Sequence, residues 1–276
     1  MSRDCIIVIN AYQNFIRDEN SIESIRAAAK RWGADFIEIN RLVEKGNSIG
    51  KKLFFTRYEN LVKLSFSYDR ILIIDNDTVV NSNSPNIFDE LGDHEIAGVL
   101  DGNPDRFSGN WIKDSIVRHI VNLFDYECLN DALKFDRDRH FEKYLNEGVI
   151  LWNAPKVRGK VINFLNLIES KPKILEALES DISDQNLSNV FYSHILSSVK
   201  ILDDKWNWTM PDVAGKNGWF HDHFNPETGE LIKWWEDNES PPDWSDNIFR
   251  GRMHPYIYHF CGTPSSKGIG KAYNRW

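Results

Sequence analysis

The sequence predicts an α/β domain, a Rossmann-like, mostly parallel sheet flanked by helices, with a smaller C-terminal lobe. Three observations predict it. Short β-branched apolar runs alternate with helix-spaced apolar patterns through the first third of the chain. One of these runs, Arg70–Ile74, ends in Asp75-Asn76-Asp77, and α/β sheets collect ligands at the carboxyl ends of their strands. A late strand-like run, Tyr256–Phe260, carries His259 and leads into a glycine-containing basic tail.

The elements follow in order. Asp4–Ile9 is the first strand. Asn20 and Glu23 have capping-box spacing and open a helix through Trp32, which Gly33 closes. Its apolar residues Ile22, Ile25, Ala29 and Trp32 recur at helical spacing. Asp35–Ile39 alternates as a second strand, and Ile49–Leu64 reads as a helix with Leu53, Phe54, Leu61 and Leu64 inward. Arg70–Ile74 and Glu95–Leu100 are further strands. Trp111–Leu133 reads as an amphipathic helical insertion. Gly148–Trp152 is a strand preceded by Asn146-Glu147, and helices are expected at Val157–Ile168 and Asp184–Ser193. No proline- or serine-rich linker interrupts the chain. Residues 1–276 are therefore read as one domain with two lobes, over about 1–100 and about 101–276.

Composition narrows the function. The 276 residues carry a net charge of −8, which argues against a general polyanion binder. From Arg250 to Trp276 there are five basic residues and no acidic one, which suggests a local anion site or simply a solvated basic terminus. Cys5, Cys128 and Cys261 are far apart without metal-ligand spacing, so reduced thiols and a cytoplasmic setting are expected. No run has the length of a membrane span or the form of a signal peptide. Six of the ten tryptophans fall between Trp206 and Trp244. They read mostly as core aromatics of a loop-rich lobe, with one or two placed to stack on a sugar.

Side chains alternate along an extended backbone, so Asp75 and Asp77 project to one side. A hard cation takes one or two carboxylates together with substrate phosphates. The pair thus reads as a metal clamp for a nucleotide diphosphate, against the plainer reading of a polar loop after a strand.

Four segments support the first reading together. Asp75-Asn76-Asp77, Leu145-Asn146-Glu147-Gly148-Val149, Asp184-Gln185-Asn186-Leu187 and His259-Phe260-Cys261-Gly262 through Lys267 stand in an order that resembles glycosyltransferase family 8. This is the glycogenin and galactosyltransferase-like group of retaining enzymes with the GT-A fold. The resemblance runs from the first strand to Lys267. It implies that Asp75, Asp77 and His259 hold Mn²⁺, with Mg²⁺ as the alternative ion. It implies a nucleotide-sugar donor, by family habit a UDP-sugar, whose base and ribose lie near Asn10, Ala11 and Tyr12.

By the same resemblance, Arg57, Asn76, Asp101 and Asn146 contact the donor, and Gly262 and Lys267 meet its diphosphate. An exposed helix arginine is the competing reading of Arg57. Asp184 and Gln185 lie at the sugar, Asp184 serving equally well as a helix N-cap. Glu147 departs from the family, which places a small residue there. It is read as a hydroxyl contact or as part of another mechanism, since Glu147 or Asp101 acting as base would make the enzyme invert.

The expected acceptor is an oligosaccharide or glycoconjugate, with a modified DNA base as the outlying alternative. Two other functions compete. A sugar nucleotidyltransferase would carry a Gly-rich basic loop after its first strand, where this chain has Asn10-Ala11-Tyr12. A catalytically silent carbohydrate-binding scaffold would not need Asp75, Asp77 and His259 together.

Overall fold

The computed structural model describes residues 2–10, 19–45, 48–101, 143–171, 183–209 and 256–259. Two sheets organise them. The larger has six strands in the order β2-β1-β3-β6-β5-β7: β1 Asp4–Ile9, β2 Asp35–Ile39, β3 Arg70–Ile74, β5 Ile96–Leu100, β6 Leu145–Asn153 and β7 Val199–Ile201. All run parallel except β6, which lies antiparallel between β3 and β5. The smaller sheet has the order β4-β9-β8, with β4 at Thr78–Val80, β8 at Trp208–Thr209 and β9 at Ile257–His259.

Strand alternation sends successive residues to opposite faces, and both faces are dry. Cys5, Ile7, Ile71, Ile73, Ile150 and Trp152 face one core. That core is completed by α2 (Ile49–Leu64), α3 (Ala154–Glu169) and α4 (Ser183–His194). Ile6, Val8, Leu72, Ile74, Val149 and Leu151 face the other, with α1 (Glu19–Trp32), Val80 and Ile257. Aromatics fill the first core: Trp152, Tyr58, Phe164 and Phe191 meet at centroid distances of 4.8–6.3 Å. Truncating such a ring costs about 3–5 kcal/mol. Cys5 is buried here, and burial, with Asp35 and Asp4 nearby, pushes its thiol up to about 12.

The expected α/β class is observed. β1, β2, β3 and α2 keep their expected bounds. The start of α1 differs: its helix already includes Glu19, so Asn20 is helical and not the cap. Gly33 does end it, in the left-handed region at φ 70°, with Ala34 N–H donating to Ala29 O at 2.9 Å. β6 begins three residues before the expected Gly148. α3 starts at Ala154, with proline in its first turn where no N–H is needed. The Trp111–Leu133 helix, the basic tail, and Ala11, Tyr12, Gly262 and Lys267 lie outside the described residues. No helix among the described residues is long and apolar enough to cross a membrane.

Candidate active site

The site sits at the carboxyl end of β3. Buried Ile71–Ile74 anchor the strand, and Asp75 N–H donates to Gly148 O of β6 at 2.9 Å. The chain then turns through Asn76 into Asp77 and β4, with Thr78 Oγ1 donating back to Asp75 O at 2.8 Å. β4 pairs antiparallel with β9 so that Thr78 stands opposite His259. Register thus places the imidazole beside the acids. His259 Nε2 lies 3.2 Å from Asp77 Oδ1 and 3.7 Å from Asp75 Oδ2. One ligand atom from each of the three residues falls within 4.8 Å of the others.

This donor set fits a divalent cation. Asp77 Oδ1 is sealed from solvent, 3.2 Å from His259 Nε2. Burial pushes the Asp77 carboxyl up, but the His259 charge, a hydrogen bond from His259 and a backbone N–H together more than offset this, and its pKa lies below the ordinary carboxylate value. Two carboxylates and an imidazole suit Mn²⁺ better than Mg²⁺, which prefers an all-oxygen shell.

Gly148 makes room for the cluster. A Cβ at that position would clash with the Cε1 and Nδ1 edge of the His259 ring. Asn146 and Glu147 precede the glycine in the same strand and project to opposite faces. Glu147 is 3% exposed, paired with the buried Arg57 guanidinium, and its other oxygen accepts from Tyr192 OH at 2.6 Å. Arg57 also reaches Asp75 Oδ1 at 3.5 Å. The exposed-arginine reading of Arg57 therefore fails: it is 7% exposed, with Glu147 as its counter-ion. A buried pair of this kind is held by its geometry, since losing either partner strands a charge.

Asn146 is equally constrained. Its Oδ1 accepts from Gly148 N–H at 2.9 Å and from Asn207 Nδ2 at 2.8 Å, while its Nδ2 donates to Asp101 Oδ1 at 3.4 Å. Gln185, in the first turn of α4, donates to Asp101 Oδ2 at 2.8 Å and to Tyr144 OH at 3.4 Å. It accepts from Glu147 N–H at 3.3 Å. Of Asp184 only the backbone is described, at the second residue of α4. Asn76 Nδ2 donates to Asn10 Oδ1 at 3.0 Å, and Asn10 in turn donates to Glu38 at 2.9 Å. The structure thus links Arg57, Asp75, Asp77, Asp101, Asn146, Glu147, Gln185 and His259 by hydrogen bonds and ion pairs, with Asn10 and Asn76 as a separate pair.

Sequence reasoning missed Asn207, Tyr192 and Tyr144. Asn207 follows a short 3-10 turn at Asp204–Trp206, is fully buried, and its Oδ1 lies 3.0 Å from His259 Nδ1. Trp206 packs on Tyr256 at 4.7 Å, which docks this turn against the start of β9. Trp206 is thus a core residue, as read for most of the tryptophans, and those from Trp219 to Trp244 lie outside the described residues.

No protein-family model matches the chain, and no curated protein sequence does either. Solved structures do. A glycosyltransferase involved in the glycosylation of the major capsid of PBCV-1 superposes with a TM-score of 0.54 at 12% identity, covering 99% of this chain and 98% of that one. The galactosyltransferase LgtC, in complex with donor and acceptor sugar analogues, gives 0.48 at 15% identity over 94% and 87%. Mouse xyloside xylosyltransferase 1 gives 0.47 at 14% over 96% and 99%. The strand order, the single antiparallel β6 and the first of these superpositions together establish that the chain has the GT-A fold of glycosyltransferases.

Proposed function

We propose that this chain is a metal-dependent glycosyltransferase that moves a sugar from a UDP-sugar to a hydroxyl of an oligosaccharide or glycoconjugate, with retention. The observation that carries this reading is the meeting of Asp75, Asp77 and His259 at the carboxyl end of β3 in a GT-A sheet. These three residues would hold Mn²⁺, which when bound supplies positive charge to the departing diphosphate. Gly262 and Lys267 are assigned to the same phosphates, and Ala11 and Tyr12 to the base.

The remaining roles follow from the contacts. The linked Asn10–Asn76 amides mark the nucleoside end of the donor site. Glu147 has its oxygens engaged by Arg57 and Tyr192, so it holds Arg57 in place and does not take the acceptor proton. Arg57 then points past Asp75 toward the donor sugar, where Asn146, Asp101 and Asp184 contact hydroxyls. Gln185 is pinned at both ends of its amide and offers dipolar, not covalent, support to a positive anomeric carbon. The bond from that carbon to the diphosphate breaks as the acceptor oxygen bonds on the same face. The leaving phosphate oxygen receives the acceptor proton.

The test is UDP release from a panel of UDP-sugars with Mn²⁺ and with EDTA, alongside Asp77→Ala. Slow Mn²⁺-dependent hydrolysis of one donor, absent in Asp77→Ala, is the expected result. Absence of turnover and of metal-dependent UDP binding overturns the reading.

A further inference from the structure

Arg57 lies between two carboxylates and serves them unequally. Its guanidinium closes on Glu147 Oε2 but stands 3.5 Å from Asp75 Oδ1. That second separation exceeds the about 2.7–2.9 Å of a close charge-assisted hydrogen bond. The asymmetry has a visible cause. Glu147 is buried in β6, and its Oε1 accepts from Tyr192 OH of α4 at 2.6 Å. Burial pushes the Tyr192 hydroxyl well above its ordinary value, so it remains a donor. Glu147 is thus anchored from the helix layer, and the guanidinium is fixed on its side. Asp75 is the more exposed of the two acids, and its Oδ2 faces His259 Nε2 at 3.7 Å.

A guanidinium beside two carboxylates can fork onto either one, because its planar N–H pairs match a carboxylate edge. Forked onto Asp75, it would cover oxygens that Asp75 offers to the three-residue cluster and would cancel their charge. We infer that Glu147 is a positioning residue that holds Arg57 back from Asp75 and so keeps that carboxylate open to a cation, with Tyr192 as its anchor. The inference rests on the metal reading of this site, but the place of the guanidinium is a property of the chain alone. Glu147 is also where the chain departs from the family it resembles, so its role is read from these contacts and not from the family's pattern.

Mn²⁺ binding to donor-free full-length protein, read by electron paramagnetic resonance of free Mn²⁺, tests this together with metal-free crystal structures. In Glu147→Gln, Arg57 is expected to close on Asp75, shortening the 3.5 Å separation to about 2.8 Å. Mn²⁺ affinity should then fall about 10–100-fold. Adding Arg57→Gln removes the competitor and should recover most of that loss, which a merely structural role of Glu147 would not produce. Tyr192→Phe removes one anchor and no charge, and affinity should fall about 2–10-fold, as for one lost hydrogen bond. This variant carries the test if Glu147→Gln fails to fold. An unchanged Arg57–Asp75 separation in Glu147→Gln overturns the inference. A double variant that binds as weakly as Glu147→Gln overturns it too, as does unchanged affinity in Tyr192→Phe. Wild type that binds no Mn²⁺ counts against the metal reading, and the crystal structures then decide alone whether Glu147 holds Arg57 back. No arm involves a donor, so failed sugar transfer would count against the proposed function and not against the positioning role.

Discussion

The two ends of the main sheet handle charge in opposite ways. At the amino ends each acid meets its own cation. Arg70 holds Asp4 with two hydrogen bonds of 2.7 and 2.6 Å, and Arg3 approaches Asp35 at 3.3 Å. Lys160 reaches Glu95 at 2.5 Å, and the Glu95 carboxylate also accepts from Ser197 and Ser198 N–H. At the carboxyl ends Asp75, Asp77 and Glu147 share Arg57 and His259, and the buried Asp77 Oδ1 faces the His259 imidazole at 3.2 Å. The first arrangement closes on itself. The second gathers three acids around two basic groups and could hold an added cation, which is how a stability network and a candidate binding site differ within one layer of strands.

The largest expected break in this comparison is at Asp77. Asp77→Ala is expected to lower metal-dependent turnover at least ~10³-fold, because the charge it helps to hold stabilises the transition state by several kcal/mol. Its unfolding free energy should move by less than about 1 kcal/mol. Comparable losses in both would place the acid among the structural pairs. Gly148→Ala comes next: the new methyl displaces His259, and Mn²⁺ affinity by titration should fall ~10²-fold. Unchanged affinity would mean that the ring shifts without cost.

Asp4→Ala sharpens the other side. It leaves Arg70 without its main partner and should cost about 2 kcal/mol in urea unfolding, discounted for the partial exposure of Arg70. Turnover per folded molecule should stay within about twofold of wild type, since no site contact is touched. The smallest effect is in pH. Burial acts to raise the Glu95 carboxyl, but Lys160 and the two backbone N–H groups lower it below its ordinary value. A depressed carboxyl contributes stability that is present above its unfolded-state value and is lost as pH falls through the folded one. Wild type should therefore lose about 1 kcal/mol more than Glu95→Gln between pH 7 and acid. Parallel pH profiles for the two would remove Glu95 from the network.

The same contrast explains what could be read from the sequence. Arg70–Ile74 and Ile49–Leu64 were legible to the residue because an apolar run or a helical stripe ends abruptly in turn residues or serine. Asp75, Asp77 and His259 were legible as a candidate group, since few other residue types bind metal, and the structure brings them together. The early start of β6 was not, because Asn146 and Glu147 are poor strand formers that are buried for the site's sake. β4 and β7 have three residues each, too short for a periodicity to register. Asn207 lay between two tryptophans that drew the eye, and an amide acting across the fold leaves no local pattern. The Asn20 cap was misplaced because capping spacing also occurs inside helices.

The pairing of β4 with β9 has a consequence for how the molecule assembles. Asp75 and Asp77 follow β3, which pairs with β1 and β6, whereas His259 arrives on β9, a three-residue strand much later in the sequence that pairs with β4. Closing so long a loop carries an entropic cost that must be met before the contact returns anything. Ile257 and His259 lie on the same face of β9, so a slip of one residue would expose both. The three-residue site therefore closes only in this one register of β4 with β9, and if it takes up metal as proposed, acquisition of metal affinity during refolding is expected to report the docking of β9.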